Sequence, residues 1–319
     1  MAIVGSLDFE KPIEEIEDKI AELSKLTQER EIDFSQEIKK LEVKAQEMKK
    51  EVFSNLTPWQ KVLMARHTGR PSTMDYIRMI FKDFIELCGD RLFKEDKAIV
   101  GGIAELDDYK VFIIGHRKGK DTKSNLEYNF GMPHPEGYRK AIRLANLAEK
   151  FSKPIITFID TPGAYPGVGA EERGQGEAIA RTLQVFSKIQ VPIIVVIIGE
   201  GGSGGALAIG IGNRILMLEH AVYSVISPEG CAAILWNDPS KTIEAAKNLS
   251  LTANDLVRLK VIDEIIKEPV GGAHRSPEEA SCLVKDSIIS CLKELQEIPI
   301  SELALERYQK LRKIGKYLE

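Results

Sequence analysis

A glycine-rich run that follows a long apolar run constrains this chain more than any other feature. Residues 193–198 are all isoleucine or valine, and Gly199-Glu-Gly-Gly-Ser-Gly-Gly205 comes directly after them, with five glycines in seven residues. Glycine loses more freedom on folding than any other residue, so such a run is expected where the backbone must approach something closely. If a helix begins here, the N–H groups of Gly204 and Gly205 have no intrahelical partner and are free to bind an anion. The alternative is a tight turn whose glycines serve packing alone.

Two short motifs that overlap this run allow other interpretations. The spacing Gly-x-Gly-x-x-Gly over 199–204 is that of a dinucleotide-binding fingerprint, with Glu219 at the distance of a ribose ligand. The helix that follows contains two more glycines, which argues against this interpretation. The spacing Gly-x-Ser-x-Gly over 201–205 is that of a nucleophile elbow, with Ser203 as the nucleophile. The residues available to complete such a site are Asp255, Asp263 and His274.

A second rigid corner follows an earlier apolar strand. Asp160-Thr-Pro-Gly-Ala-Tyr-Pro-Gly167 comes after the largely apolar residues 155–159. Its prolines stiffen the turn, its glycines permit unusual backbone angles, and Tyr165 offers an apolar face with a hydroxyl. Because parallel strands present their carboxyl ends on one side of a sheet, the two corners are expected to frame one pocket. A proline-stiffened surface loop is the alternative.

The spacing of apolar and helical stretches predicts an α/β fold. Apolar runs at 111–115, 155–160 and 193–199 alternate with helical patterns at 137–151 and 176–189. By itself, this alternation favours a doubly wound parallel sheet.

The two ends of the chain differ in texture from the middle. Near the N-terminus, apolar residues recur every three or four positions among Glu, Lys and Gln, with an interruption near Asp33. This pattern predicts two amphipathic helices, which form either a hairpin on their own core or a docking arm for another subunit. The charged stretch 301–319 predicts a peripheral helix.

Charge and cysteine content narrow the functional class. The net charge of −4 gives no general attraction to nucleic acid or to an anionic membrane. The apolar runs are too short to span a bilayer, and residues 1–10 have no signal pattern, so a cytoplasmic location is expected. No Cys-x-x-Cys pair occurs, so no zinc ribbon, and no metal, is expected in this chain. The four cysteines are Cys88, Cys231, Cys282 and Cys291.

A basic segment lies between the apolar runs at 111–115 and 155–160. Its cations bind carboxylate or phosphate readily, and a solvated surface is the alternative. They are Arg117, Lys118, Lys120 and Lys123. His116 and His134 are the candidate general bases of this segment.

Long blocks of the sequence resemble the alpha-subunit family of bacterial acetyl-CoA carboxylase carboxyltransferases. The resemblance covers nearly the whole chain, although Asn125–Tyr128 is less basic than the family pattern. The matching blocks are 64–67, 86–91, 98–104, 114–119, 129–141, 155–176, 198–210, 223–231 and 271–275.

This resemblance implies a fold and an organisation. The fold is the crotonase/ClpP-like spiral of ββα units, with an N-terminal helical arm and C-terminal helices, in place of the doubly wound sheet. The implied divisions are an interaction arm over 1–57, a carboxyltransferase domain over 58–296 and a helical tail over 297–319.

The resemblance also implies a reaction and partners. The family transfers a carboxyl group from carboxybiotin, on the biotin carboxyl carrier protein, to acetyl-CoA, which gives malonyl-CoA in the first committed step of fatty acid synthesis. A zinc-ribbon beta chain completes the transferase with two copies of each chain, so the zinc belongs to the partner. A separate biotin carboxylase consumes the ATP.

By analogy with the family, the glycine corners hold the biotin side of the reaction. The N–H groups of Gly204 and Gly205 are expected to form an oxyanion hole for charge that builds on the ureido oxygen. The remaining residues expected to bind substrate are Gly163, Ala164, Tyr165, Gly201, Gly202, Ser203 and Arg117.

Three rival interpretations remain open at this level. The first is a serine hydrolase of the same superfamily that uses Ser203. The second is an assembly scaffold whose partner performs all the catalysis. The third is a hydratase or isomerase with paired acids, for which Glu171, Glu172 and Glu177 are the candidates.

Overall fold

The computed structural model describes residues 7–30 and 33–315, which form one mixed sheet of eight strands surrounded by helices. The strands are β1 (Lys82–Glu86), β2 (Ile99–Leu106), β3 (Tyr109–His116), β4 (Ile155–Thr161), β5 (Ile193–Gly202), β6 (Arg214–Leu218), β7 (Val222–Ser224) and β8 (Glu264–Ile266). The helices are α1 (Lys11–Arg30), α2 (Ser35–Ser54), α3 (Pro58–Ala65), α4 (Thr73–Ile80), α5 (Thr122–Glu127), α6 (Pro135–Lys150), α7 (Val168–Glu172), α8 (Gln175–Lys188), α9 (Ser203–Ala208), α10 (Pro228–Trp236), α11 (Thr242–Asn248), α12 (Ala253–Arg258), α13 (Pro277–Gln296) and α14 (Ile300–Arg312).

The sheet is antiparallel at one end and parallel through the rest. Its strand order is β1-β2-β3-β4-β5-β6-β8, and pairing is antiparallel from β1 to β3 and parallel from β3 onward. The doubly wound sheet favoured by periodicity is therefore wrong. Only Asp107 and Asp108 separate β2 from β3, and a parallel crossover needs a dozen or more residues. The succession β2, β3, α6 is instead the strand-strand-helix unit that the family resemblance implied.

Strand β5 takes part in two pairings along its length. Its first half pairs with β4 and β6, and its last three residues pair with β7. A register shift between Ile159 and Thr161 of β4 marks the change. Every residue of β4 and β5 is buried, which agrees with their near-continuous apolar sequences. The carboxyl ends of β4 and β5 are therefore held at one edge by a rigid core.

Helices α6 and α8 cover one part of this sheet. Residues Ala141, Leu144, Ala145 and Ala148 recur at three- and four-residue steps on α6 and are fully buried. Helix α6 packs on β2 and β3, and α8 packs on α6. Full burial of a large apolar side chain such as Leu144 stabilises the fold by about 1.5–3 kcal/mol.

The N-terminal segment forms a hairpin of α1 and α2, as the amphipathic pattern predicted. It is attached to the rest of the chain through buried charges at its start. The carboxylate of Glu10 lies 3.0 Å from Nε2 of His274 and accepts a hydrogen bond from Nε of Arg275 at 3.1 Å. Arg275 also pairs with Glu17 at 2.8 Å, and Glu17 pairs with Lys49 of α2 at 2.5 Å. The described part of the arm is thus fastened to the loop that carries His274 and Arg275.

Helix α14 is more deeply packed than the peripheral helix expected over 301–319. Arg307 is fully buried and donates hydrogen bonds to the carbonyl oxygens of Phe186 and Ile189 at 2.8 Å and of Val191 at 3.0 Å. It also donates to the side-chain oxygen of Asn213 at 2.6 Å. Because these acceptors lie between α8 and β6, α14 closes the end of the core there.

Replacing Glu10 with Gln is expected to loosen the arm in a pH-dependent way. Burial by itself raises the pKa of Glu10, but the hydrogen bonds from His274 and Arg275 outweigh burial and hold that pKa below its ordinary value. The stability that the Glu10 carboxylate contributes is therefore fully present above its unfolded pKa of about 4.3. It is lost as the pH falls through the lower pKa of the folded state. We expect Glu10→Gln to lower the free energy of unfolding by about 2 kcal/mol at pH 7.

Urea denaturation at pH 7 and at acid pH measures this difference. Glu22→Gln is the matched control, because Glu22 is exposed on α1, the helix that begins directly after Glu10. A loss that is equal for both variants, or that persists undiminished at acid pH, contradicts the assignment.

Candidate active site

The two glycine-containing corners meet at the ends of β4 and β5. A Cβ atom placed on Gly202 would lie 2.1 Å from the carbonyl oxygen of Pro162. A Cβ atom on Gly205 would lie 2.4 Å from the carbonyl carbon of Gly163 and 2.5 Å from the nitrogen of Ala164. No side chain fits at either distance, so glycine is required at both positions. The expectation that the two corners lie together is confirmed.

The first corner presents backbone N–H groups at the start of α9. The strand ends at Gly202 and the helix begins at Ser203, so the N–H groups of Gly204 and Gly205 belong to the first helical turn and lack intrahelical acceptors. Among the described residues, no turn or loop carbonyl accepts a hydrogen bond from either group. Gly205 is buried and Gly204 is half-buried. The corner can therefore donate two hydrogen bonds to an anion.

Ser203 occupies this corner in an unusual backbone conformation. Its φ is +52° and its side chain is exposed, as a nucleophile elbow requires. The residues proposed to complete a triad bind elsewhere: His274 contacts Glu10, Asp263 accepts from the N–H of Ile215, and Asp255 accepts from Thr252. Within the described chain, the structure brings none of these three to Ser203.

The second corner is held by local hydrogen bonds. Thr161 Oγ1 donates to the carbonyl oxygen of Gly163 at 2.8 Å and accepts from its N–H at 3.1 Å. Gly163 has a φ of +154°, and a Cβ there would meet nothing within 4 Å. The ring of Tyr165 stacks on His134, with centroids 4.2 Å apart. Gln175 Nε2 donates to the carbonyl oxygen of Tyr165 at 2.9 Å, which fixes the loop to the start of α8.

A charged network that sequence reasoning missed lies beneath both corners. Lys118 Nζ lies 3.1 Å from Asp160 Oδ1 and 3.5 Å from Glu200 Oε2. Asp160 Oδ1 also accepts a hydrogen bond from the N–H of Glu200 at 3.1 Å. Arg66 extends the network, with 2.7 Å to Glu200 and 2.5 Å to Glu229. Burial alone would lower the pKa of Lys118, but the carboxylates of Asp160 and Glu200 raise it above its ordinary value.

The sequence held a partial signal for this network. Asp160 ends one apolar run and Glu200 interrupts the glycine run after another, a pattern from which two acids at one edge of the sheet could have been inferred. Lys118 was one of several cations in a basic segment, and nothing in the sequence distinguished it from its neighbours. Arg66 comes from the end of α3, far along the chain, and no local pattern connects it with Glu200.

The other residues of the basic segment have different surroundings. The guanidinium of Arg117 lies over the ring of Tyr128, 4.3 Å from its centroid, and Lys120 pairs with Asp75 at 2.7 Å. Neither contact involves a residue of the corners, whereas Lys118 reaches Asp160 and Glu200. Arg117 is thus placed next to the loop that precedes α6.

The two histidines proposed as general bases are weak bases, because the pKa of each ring is lowered. Burial lowers the pKa of His116 to about 4, against the opposing charge of Asp160, so the buried ring is neutral at pH 7. Burial also lowers the pKa of His134, although Asp96 and Glu136 oppose this shift. His134 Nδ1 lies 3.0 Å from Asn129 Nδ2. Both rings serve as packing and hydrogen-bonding groups next to the corners.

The acids proposed for other enzyme classes do not form a buried pair. Glu171, Glu172 and Glu177 are exposed on α7 and at the start of α8. Glu219, the candidate ribose ligand, pairs with Lys267 at 2.7 Å. The described residues therefore give no acid pair of the hydratase kind and no free ribose ligand at that position.

Potential metal ligands cluster at two places in the described chain. Glu10, His67 and His274 lie together, and so do Glu86, Cys88 and Glu95. In the first cluster, His274 contacts Glu10, and His67 Nδ1 accepts a hydrogen bond from the N–H of Gly69 at 3.0 Å. The contact between Glu10 and His274 joins the arm to the loop at 271–275, whereas the bond between His67 and Gly69 is local to the turn after α3.

A groove beside the first corner continues into an exposed apolar surface. The groove has a volume of about 350 Å³, and its lining includes Ser203, Gly204, Leu207, Tyr223 and Val225. Apolar side chains on and beside α10 and α11 remain exposed, which is typical of interaction surfaces. They are Val225 (77% exposed), Ile234 (75%), Leu235 (66%) and Ile243 (62%), and we call them the α10 surface.

The described helices include none that is both long enough and apolar enough to cross a bilayer.

Comparison with known proteins gives the family. Residues 6–315 match the family model described as acetyl co-enzyme A carboxylase carboxyltransferase-like. The chain is 56% identical over 319 residues to the acetyl-coenzyme A carboxylase carboxyl transferase subunit alpha of Geobacter metallireducens, with all of both chains covered. It is 54% identical over 313 residues to the subunit of the same name from Thermus thermophilus, covering 98% of this chain and 99% of that one.

Solved structures give the same fold at low sequence identity. A transcarboxylase 12S crystal structure matches with a TM-score of 0.59 and 20% identity, over 72% of this chain and 42% of that one. A geranyl-CoA carboxylase beta subunit matches with a TM-score of 0.55 and 15% identity, over 77% of this chain and 46% of that one. The crotonase-like fold expected from the resemblance is confirmed. With a family model matched over nearly its whole length, the chain belongs to the acetyl-CoA carboxylase carboxyltransferase alpha-subunit family.

Proposed function

We propose that this chain is the alpha half of an acetyl-CoA carboxylase carboxyltransferase. It transfers the carboxyl group of carboxybiotin, carried on the biotin carboxyl carrier protein, to acetyl-CoA to form malonyl-CoA. One observation carries the proposal: the corners of β4 and β5 meet so closely that only glycine fits, and they leave the N–H groups of Gly204 and Gly205 available to an anion. The names of the full-length relatives support the choice of reaction.

The role of the first corner is to stabilise negative charge. Release of carbon dioxide from carboxybiotin leaves charge on an oxygen, and donors fixed in place before the reaction stabilise such charge without reorganising. Gly204 and Gly205 donate to that oxygen in this proposal, and Gly201, Gly202 and Ser203 shape the backbone that presents them. Biotin, once it has lost carbon dioxide, can itself take up the methyl proton of acetyl-CoA. The chain therefore needs no strong side-chain base. This agrees with the neutral, buried state of His116.

The role of the second corner is to position the substrate. Gly163, Ala164 and Tyr165 line the side that faces the first corner, and Tyr165 is held by its stack on His134. Arg117 borders the neighbouring loop as a further contact to substrate. The bond from the N–H of Glu200 to Asp160 ties the two strand ends together, and Lys118 balances the acids there.

The partner is a zinc-ribbon beta chain that covers the α10 surface, in a complex with two copies of each chain. Val225 belongs both to that surface and to the groove at Ser203 and Gly204, so a chain docked there also closes the site. This chain would supply the biotin side, and the beta chain would hold most of the CoA and the zinc. A separate biotin carboxylase would recharge the carrier. The four free thiols fit the reducing cytoplasm, where we place the complex.

Malonyl-CoA formation should require both halves of the enzyme. The assay combines acetyl-CoA and carboxybiotin with this chain alone, with the beta chain alone and with their mixture. We expect activity only in the mixture, since each chain contributes part of the site. Absence of activity in a mixture shown to be folded and associated would refute the carboxyltransferase assignment.

Substitution at the first corner should separate catalysis from scaffolding. Gly205→Ala places a methyl group 2.4 Å from backbone and must displace the corner, so we expect kcat to fall about 100-fold or more. Gly204→Ala is the matched control, because its Cβ would meet only Ile179 at 3.7 Å, and we expect a change of a few-fold. Size-exclusion chromatography with the beta chain establishes that both variants assemble. Full activity of an assembled Gly205→Ala complex would favour the scaffold interpretation.

The hydrolase interpretation depends on the hydroxyl of Ser203. In our proposal the residue shapes the turn, so Ser203→Gly, which tolerates the positive φ, should keep activity within about tenfold. Ser203→Ala removes the same hydroxyl and keeps the strained backbone, so any further loss reports strain. Loss of all turnover in both folded variants would instead identify a nucleophile.

A further inference from the structure

A second groove, away from the glycine corners, is lined by five cations and by two acids, Asp90 and Glu177. It runs between α6 and α8 beside the loop at residues 90–92 and has a volume of about 710 Å³, within the range of small-molecule sites. Arg139 lies in it and is neutralised by Asp90 at 2.9 Å. The remaining cations of the lining are Arg91, Arg143, Lys150 and Arg181.

Two of these arginines converge on a single atom. Arg91 Nη1 donates to the carbonyl oxygen of Cys88 at 3.1 Å, and Arg143 Nη2 donates to the same oxygen at 3.0 Å. Arg143 also donates to the carbonyl oxygens of Leu87 and Gly89 at 2.7 and 2.9 Å. These bonds fix two positive charges next to each other, and like charges at short range repel.

No carboxylate of the described residues forms an ion pair with Arg91 or with Arg143. Two of the nearby acids are engaged elsewhere, because Glu95 pairs with Lys140 and Asp90 pairs with Arg139. Glu177 also lines the groove, so the cations of the lining outnumber its acids by five to two. Burial lowers the pKa of Arg143, and the charge of Arg91 lowers it further, while Glu95 and Asp90 oppose the shift. The positive charges of Arg91 and Arg143 are therefore available to an anion.

The backbone around these arginines is held in a costly conformation. Arg91 has a φ of +63°, which is unfavourable for a long side chain, and Gly89 has a φ of +81°. A Cβ atom on Gly89 would lie 2.9 Å from Arg91 Nη1, so glycine also makes room for the guanidinium. Strain of this kind is characteristic of functional sites. Gly89 and Arg91 both lie in the block 86–91, to which the proposed carboxyl transfer assigns no role.

The rest of the lining suits a ligand that is more than an inorganic ion. Arg181 and Lys150 are exposed along the groove, while Leu92, Ile142 and Leu147 give it apolar contact surface. A compact anion with an attached apolar or aromatic group matches both features. The chain as a whole carries a net charge of −4, so this concentration of positive charge is a local property.

We propose that this groove binds the phosphate groups of a nucleotide, with Arg91 and Arg143 as the paired phosphate ligands. Guanidinium groups bind phosphate through their N–H donors, and two parallel bonds are the strongest arrangement. Arg91 donates to Cys88 through Nη1, so its Nε and Nη2 can form such a pair, whereas Arg143 already donates through Nε and Nη2 and offers Nη1. The nucleotide is either a free nucleoside diphosphate or the nucleotide end of a CoA thioester. The site lies on α6, and Arg143 is eight residues, or about 12 Å of helix, beyond Pro135 next to the second corner. It is thus separate from the oxyanion corner of the proposed function.

Calorimetric titration of the full chain with ADP, with CoA and with pyrophosphate tests the proposal. We expect saturable one-site binding of ADP below about 1 mM that weakens as salt is added. Tighter binding of CoA than of ADP identifies the thioester as the source, and tighter binding of ADP identifies a free nucleotide. The titration contains no carboxyl donor and no beta chain, so its outcome is independent of the carboxyltransferase assignment.

Arg91→Asn is the decisive variant. Asparagine accepts the left-handed backbone of position 91 and removes one guanidinium, so we expect ADP binding to weaken roughly tenfold or more. Arg181→Gln, at an exposed position, gives a second reduction without touching the buried contacts of Arg143. Lys40→Met, which removes one positive charge from α2, is the matched control and should leave binding unchanged.

Three outcomes would overturn the proposal. The first is the absence of saturable binding by ADP and by CoA. The second is equal binding by wild type and Arg91→Asn, both shown to be folded by circular dichroism. The third is binding of a single-stranded RNA oligonucleotide that is tighter than that of ADP, displaces ADP and is lost in Arg91→Asn, which would make the groove a polyanion surface.

Discussion

Contact between two segments of backbone, at the ends of β4 and β5, is the constraint on which the rest of this structure depends. Gly202 and Gly205 touch Pro162, Gly163 and Ala164 at distances that exclude any side chain. Glycine is costly to order, so this contact must be stabilised by its surroundings. The two fully buried parallel strands and the helices that cover them provide that support.

The charges around the corners follow from the same contact. When two strand ends are brought this close, the acids that terminate them, Asp160 and Glu200, also come together, and like charges in a partly buried place are unfavourable. The N–H of Glu200 binds Asp160, and Lys118 and Arg66 supply the opposite charge. A cation from the basic segment and another from α3 are therefore structural requirements of the corner. Because Lys118 and Arg66 pair with the acids, the N–H groups at the start of α9 remain available as hydrogen-bond donors.

The chain has two electrostatic environments of different kinds. Beneath the corners each of the described charges has a partner of opposite sign, which suits a site whose donors must be fixed before an anion develops. In the groove between α6 and α8, Arg91 and Arg143 share one carbonyl oxygen and have no acidic partner among the described residues. At the corners, backbone N–H groups would stabilise negative charge that develops during the reaction. In the groove, the guanidinium groups would attract an anion that is already charged. The groove lies on α6, and the second corner contacts the residue just before α6 through the stack of Tyr165 on His134.

The sequence by itself determined the elements whose signals are local. Continuous apolar runs predicted β3, β4 and β5, glycine and proline placed both corners, and three- and four-residue periodicity predicted α1, α2, α6 and α8, because these signals depend on neighbouring residues. The doubly wound sheet was wrong because periodicity does not report how strands pair. The structure shows that only two residues link β2 to β3, which is too short for a parallel crossover. Only the tertiary structure decided that Arg66 meets Glu200, 134 positions away, and that Arg307 is buried. Such pairs depend on how elements pack, and no short stretch of sequence records that packing.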